Sequence, residues 1–189
     1  MLVRHTHRPA HLFLDNTPYF LTGAIHGRRP LLDADLKESL IDIAKSCFDA
    51  AGWRLQHWVV LDEHYHLIAE SARGAELPDV LRRVHGRSAR VIRERTRCDT
   101  PVWYNYWDYC PRDDRDYYNH VNYLLNNPVK HGYVENLHDW PFSSFHELVK
   151  TMGRDRLARQ FREYPSFNSL DIADDFGSES SRAMKGRSG

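Results

Sequence analysis

The sequence has no apolar run long enough to cross a bilayer, no Cys-x-x-Cys pair, no glycine-rich phosphate-binding loop, no internal repeat and no surplus of either charge. Each absence narrows the field. A spanning helix needs about 20 consecutive apolar residues, and the start, Met1-Leu-Val-Arg-His-Thr-His, lacks the apolar centre of a secretory signal. The expectation is a cytoplasmic protein with no membrane partner. Three scattered cysteines, Cys47, Cys98 and Cys110, make neither a disulfide framework nor a thiolate zinc site and read as reduced thiols. Lys and Arg total 26 against 26 Asp and Glu, and this formal neutrality argues against a generic nucleic-acid binder.

What is present fits one domain. In 189 residues, 41% apolar and 12% aromatic content is enough for one core. We expect that domain over 1–165 and a flexible tail over 166–189, where Ser, Asp, Gly and Arg replace apolar residues. Charge is neutral in sum but not in distribution. Arg82, Arg83, Arg87, Arg90, Arg93, Arg95 and Arg97 face only Glu94 between Leu81 and Arg97, a local net of +6. Such a stripe on a neutral chain points to directed phosphate contacts. Arg83, Arg87 and Arg90, spaced three or four apart, are expected to share a helix face flanked by Arg82, Arg93 and Arg97.

The periodicities give an order of elements. Tyr19–Ile25 reads as a strand, Asp33 to Gly52 as a capped helix, and Leu55–Leu61 and Tyr65–Ile68 as strands joined by a tight turn at Asp62-Glu63. Leu77–Thr96 reads as a second helix, Val102–Tyr109 as a further strand, and Asp113–Asn127 as a helix that should bend or stop at Pro128. The succession β-α-β-β-α-β predicts an α+β fold, a ferredoxin-like (RRM-like) antiparallel sheet with helices on one face.

His64-Tyr65-His66 lies within the third strand. Alternation puts both imidazoles on one face, about 7 Å apart at the backbone, where they can converge on one metal ion. With Tyr65 and Leu67 facing the helices, the histidines should occupy the open face. On the following helix, Tyr117, Val121, Leu124, Leu125 and Pro128 fall in one core sector. Tyr123 and Asn127 share one flank of it, Tyr118 and Asn122 the other, and helical geometry alone does not choose between these two pairs.

Three blocks in order, WVVLDEHYHLIAE (Trp58 to Glu70), YYNHVNYLLNNPVKHGYV (Tyr117 to Val134) and DWPFSSFHEL (Asp139 to Leu148), resemble the REP-associated tyrosine transposases. These are single-tyrosine members of the His-hydrophobe-His nuclease superfamily, akin to small insertion-sequence transposases. The resemblance spans about Tyr19 to Leu148. It implies that His64, His66 and Asn127 hold a divalent metal, Mg²⁺ or Mn²⁺, and that Tyr123 rather than Tyr118 is the nucleophile. The implied activity is nicking and rejoining of single-stranded DNA at hairpins through a 5′-phosphotyrosine, by a monomer in a bacterial cytoplasm, at the nucleoid. Arg82, Arg83, Arg87, Arg90, Arg93 and Arg97 are expected to bind DNA, with Lys130 and His131 as secondary contacts. Two departures stand out: bulky Tyr65 separates the histidines, and Asp62-Glu63 replaces the usual Pro-Asn, either acid serving as an extra ligand or forming the turn. The competing readings are a non-catalytic nucleic-acid-binding domain of ferredoxin-like shape and an unrelated metal hydrolase.

Overall fold

Strand alternation decides which residues of this chain face which layer. In the computed structural model, which describes residues 13–170 and residue 172, four antiparallel strands form one sheet: β1 (Pro18–Ile25), β2 (Arg54–Val60), β3 (His64–Glu70) and β4 (Trp103–Tyr109), in the order β2-β3-β1-β4. Helix α1 (Ala34–Asp49) joins β1 to β2, and α2 (Leu77–Thr96) joins β3 to β4. The expected α+β sheet and its β-α-β-β-α-β succession are present. Local signals set the boundaries. Asp33 caps α1 by accepting from the Leu36 amide, and Asp113 caps α3 (Asp114–Lys130) by accepting from that of Asp116.

One sheet face carries Tyr19, Leu21, Tyr65, Leu67 and Ala69, buried beneath α1 and α2 with Leu40, Phe48, Leu81 and Val84. The hydrophobe between the histidines is thereby accommodated. Tyr65 crosses its register partner Gly23, where any Cβ would collide with the ring.

The other face differs from expectation. It carries Phe20, Val59, Leu61 and Ile68 along with the histidines, and so much apolar surface needs its own cover. Helix α3 supplies Val121, Leu124 and Leu125, and α4 (Phe145–Met152) and α5 (Arg154–Glu163) pack beside it. The expected open histidine face is therefore roofed, and His64 and His66 are both 0% exposed. The connection from β4 to α3 is only four residues, and α3 lies on its own sheet, with Tyr109 of β4 stacked on His120 at 4.9 Å.

Helix α3 runs past Pro128 to Lys130 rather than ending there. The proline stands in the last turn, so its missing N–H costs a single helical bond. The end is then closed by His131 N to Asn127 O (3.0 Å), Gly132 N to Val129 O (3.0 Å) and Tyr133 N to Pro128 O (2.9 Å). The aromatic segment after Trp140 runs along the outer edge of β2, with Val60 N bonded to Phe142 O and Ser144 N to Trp58 O, so that edge is covered rather than exposed for pairing. Of the expected tail, most lies outside the described residues. Its described beginning packs: Pro165–Ser169 forms a 3-10 turn, Phe167 and Leu170 lie against the α3 layer, and Ile172 is buried.

Candidate active site

Strand β3 and helix α3 bring the candidate residues together. His64 pairs with Ala24 of β1, and His66 pairs with Thr22 of β1 and Val59 of β2. The two rings point into the α3 layer with centroids 5.0 Å apart. Each is held through Nδ1: Thr22 Oγ1 lies 2.8 Å from that of His66, and Glu63 Oε1 lies 3.0 Å from that of His64. Coordination is thereby left to Nε2. Above them α3 presents Asn127 and Tyr123 one turn apart. Asn127 Oδ1 sits 3.0 Å from His64 Nε2, and the Tyr123 ring meets His66 edge-on at 5.6 Å.

The donor chemistry fits a cation. With His64 Nδ1–H donated to the Glu63 carboxylate, Nε2 carries a lone pair, and so does the carboxamide oxygen facing it. Two acceptors at that separation repel unless a proton or cation lies between them. Two imidazoles and one carboxamide are a mixed N/O set suited to Mn²⁺ and tolerant of Mg²⁺. No group of three His, Cys, Asp or Glu side chains gathers as a metal site among the described residues; the third donor beside the two imidazoles is the Asn127 carboxamide oxygen.

Tyr123 is buried except where its hydroxyl meets the exposed Lys130. Lys130 Nζ donates to Tyr123 Oη at 2.7 Å and lies 4.5 Å from the ring centroid. Lysine 130, expected as a DNA contact, is thus placed on the phenol. The signal for this was present in the spacing, since residues seven apart return to one side of a helix. His131 lies 5.2 Å from His64. Desolvation, with His64 and Lys130 nearby, pushes its imidazole down to about 4. It is therefore neutral at pH 7 and offers a phosphate no charge.

The alternative pair goes elsewhere. Tyr118 stacks on Tyr164 at 4.8 Å, and Asn122 exchanges hydrogen bonds with α5, donating to Gln160 O and Tyr164 O and accepting from Gln160 Nε2. Tyr118 and Asn122 anchor α5, whereas Tyr123 and Asn127 face the histidines. The Asp62-Glu63 turn also divides. Asp62 Oδ1 binds the buried Lys37 Nζ at 2.7 Å, whereas Glu63 turns to His64 and accepts from Tyr133 Oη at 2.9 Å. Burial alone would raise the Glu63 carboxyl; the His64 and Tyr133 hydrogen bonds outweigh it and hold it at about 2.

Along α2, Arg83, Arg87 and Arg90 fall on one side, each with a partner there, and Arg82 and Arg93 on another. Arg83 donates to Asp79 O, Arg87 leans toward Cys47 of α1 and Arg90 pairs with Glu94. Arg97 takes the left-handed cap position, φ 53°, and Arg95 ties α2 to Asp33 and Asp35. Arg82, which also pairs with Asp79 at 2.9 Å, and Arg93 line a groove of about 460 Å³ between α2 and β4, with Trp103, exposed Tyr104, Asn105 and Tyr106 along its other wall. Trp103 is fixed there by stacking on His85 at 4.7 Å and by donating to Ser88 Oγ at 3.0 Å. Trp103 pairs with Ile25, next to Ala24, the partner of His64. Groove and histidines therefore lie at the same end of the sheet but on opposite faces of it, the groove under α2 and the histidines under α3, with two strand spacings or roughly 10 Å between them laterally.

The chain is similar to known transposases. The family model described as "Transposase IS200 like" matches residues 16–108, a span that includes both histidines and stops before α3. A REP-associated tyrosine transposase of Escherichia coli is 36% identical over 144 residues, covering 72% of this chain and 81% of that protein. A like-named protein of Haemophilus influenzae is 51% identical over 53 residues, a local match covering 28% of this chain and 30% of that one. A solved structure of a REP-associated tyrosine transposase bound to a REP hairpin superposes with a TM-score of 0.66 at 26% identity. That match covers 77% of this chain and 87% of the other.

Proposed function

The chain belongs to the REP-associated tyrosine transposases, and from that premise we propose that it nicks and rejoins single-stranded DNA at REP-type hairpins, with Tyr123 as nucleophile and His64, His66 and Asn127 as metal ligands. One observation carries the reading. Of the two tyrosine–asparagine pairs on α3, the Tyr123 pair lies on the histidines and the other is engaged with α5.

A bound divalent ion would polarise the scissile phosphate and orient it for in-line attack. The protein supplies the rest. An unperturbed phenol titrates near about 10 and is a weak nucleophile at neutral pH, so the developing phenolate needs a cation. Lys130, 2.7 Å away, provides one. Tyr123 Oη bonds to phosphorus as the bond from phosphorus to the upstream 3′-oxygen breaks. The phenol proton passes to water, and the leaving oxygen takes one up as a 3′-hydroxyl. The phosphotyrosine ester conserves the bond energy, so an incoming 3′-hydroxyl reverses the step and joins strands without a nucleotide cofactor.

DNA would enter by the α2–β4 groove and pass round that end of the sheet to the histidine face. Arg82 and Arg93 meet phosphates, Tyr104 offers a face for an unpaired base, and the outer arginines Arg83, Arg87, Arg90 and Arg97 add longer-range attraction. At the site itself Lys130 and His131 form the rim over Tyr123 and His64. The acting unit is a monomer, because α3 completes the site on its own sheet. Its substrate places it with chromosomal DNA in the cytoplasm.

The test is a denaturation-resistant adduct. Incubated with end-labelled hairpin DNA and Mn²⁺, the wild type and Tyr118→Phe should retain labelled DNA through denaturation, and Tyr123→Phe should not. An adduct that survives Tyr123→Phe overturns the nucleophile. Cleavage without any adduct in the wild type would make the protein an ordinary metal hydrolase.

A further inference from the structure

We propose that Glu63 is a positioning residue for the metal site, fixing the tautomer of His64 so that Nε2 is turned to Asn127 as a ligand. This rests on the metal reading above and adds to it a residue outside the ligand set. Both oxygens of the Glu63 carboxylate are engaged on the side of His64 remote from Asn127: Oε1 with His64 Nδ1 at 3.0 Å, and Oε2 with Tyr133 Oη at 2.9 Å. Its backbone is fixed as well, Glu63 O accepting from Ile25 N at 2.7 Å. A carboxylate engaged at both oxygens on a fixed backbone is turned away from the space between His64 Nε2 and Asn127 Oδ1. It acts on the metal through the imidazole. Accepting Nδ1–H forces the proton onto that nitrogen and raises the electron density at Nε2.

Tyr133 makes the arrangement a closed ring. It follows the last turn of α3, with its amide on Pro128 O at 2.9 Å and its ring on Trp140 at 5.0 Å. Asn127 belongs to the same turn. The chain of contacts runs from Asn127 through His64, Glu63 and Tyr133 back to the end of α3. The helix that carries the nucleophile is thus seated by the same hydrogen bonds that orient the first histidine. Asp62 has no part in this, being spent on Lys37.

The test uses the full chain and two readouts. In the metal-free protein, ¹⁵N imidazole shifts at neutral pH should report His64 with its proton on Nδ1. That state should persist in Glu63→Gln, whose carboxamide oxygen still accepts, and be lost in Glu63→Ala. Calorimetric Mn²⁺ titration should show a Kd raised ten- to a hundredfold in Glu63→Ala, with smaller rises in Glu63→Gln and Tyr133→Phe. Should Glu63→Ala not fold, the Glu63→Gln and Tyr133→Phe titrations carry the test. Unchanged tautomer and unchanged Mn²⁺ affinity in Glu63→Ala, or in both milder variants, overturn the proposal. So does a loss in Glu63→Ala as complete as in His64→Ala, which would make the carboxylate itself a ligand. Absence of Mn²⁺ binding by the wild type would instead sink the metal reading, and the tautomer measurement would still decide whether Glu63 orients His64.

Discussion

Lys130 connects two residue-scale facts, a phenol that is buried along its ring and a single exposed ammonium at its oxygen. Its Nζ lies 2.7 Å from Oη and 4.5 Å from the centroid of the Tyr123 ring. The side chain is therefore placed to cover the phenol oxygen and would stabilise negative charge on it, and a flexible arm can swing aside for a phosphate more easily than a helix can move. Replacing Lys130 by Met keeps the stem and removes the charge. Single-turnover adduct formation at pH 7.5 should then fall by about 10²-fold, the usual cost of losing one charge-stabilising donor, and should recover as pH rises toward the phenol's own range. Hairpin affinity should change by less than threefold. If affinity collapses and the single-turnover rate holds, Lys130 acts on the DNA and not on Tyr123. The seven-residue spacing of Tyr123 and Lys130 is a helical repeat visible in the sequence, whereas Glu63 does not declare its partner Tyr133, 70 positions away.

At the scale of elements, what was legible followed from period. The strands β1 to β4 and helices α1 to α3 carry regular alternation or clean apolar stripes between turn residues, and His64 and His66 were assigned to one face by alternation alone. Helices α4 and α5 were not legible, because eight and ten residues give too few turns to establish a period and an aromatic run precedes them. The covering of the histidine face was missed for a related reason. Phe20, Val59, Leu61 and Ile68 mark that face as apolar, but which helix roofs it is settled only by tertiary packing. Helix α2 shows the same divide between pattern and placement. Its arginines were legible as a stripe, yet residue spacing did not say which side meets β4. The structure separates Arg82 and Arg93, beside Gly86 in the groove, from Arg83 and Arg90 on the outer surface. This yields a measurable difference. With single-stranded hairpin flanks, each lost phosphate contact reduces the slope of log K against log salt by about 0.7. Arg82→Ala with Arg93→Ala should flatten the slope by about 1.4, and Arg83→Ala with Arg90→Ala by less than half as much. Equal slopes for the two pairs would place the DNA off the groove.

For the molecule as a whole, covering both faces of the sheet buries a titratable ring in each layer. His85 of α2 stacks on Trp103 on one side and hydrogen-bonds through Nε2 to the Tyr65 hydroxyl at 2.7 Å. His57 of β2 lies against Tyr117 on the other, with no hydrogen-bond partner for Nδ1 among the described residues. Burial pushes both imidazoles from 6.5 down to about 4. The sign follows from linkage: the unfolded chain takes up these protons below about 6.5 and the folded chain does not until about 4. Their contribution is therefore complete above pH 6.5 and drains away as pH falls to 4. A depression of this size corresponds to roughly 1–3 kcal/mol for each ring. Metal-free thermal melts should show Tm constant from pH 8 to 7 and then dropping by several degrees by pH 5, since 1 kcal/mol moves Tm by about 2–4 °C in a chain of this length. His57→Phe removes one titrating ring and an orphaned nitrogen together, so its melting curve should lie above the wild type at pH 5 and depend on pH less steeply, the remaining slope coming from His85 and the other depressed imidazoles. His85→Gln, which can still accept from Tyr65, should flatten the same limb but lose stability at pH 8 because its stack on Trp103 is gone. A wild-type Tm that is level from pH 8 to 5 would mean that both rings charge freely in the folded state, and the two layers are then looser over the sheet than their burial implies.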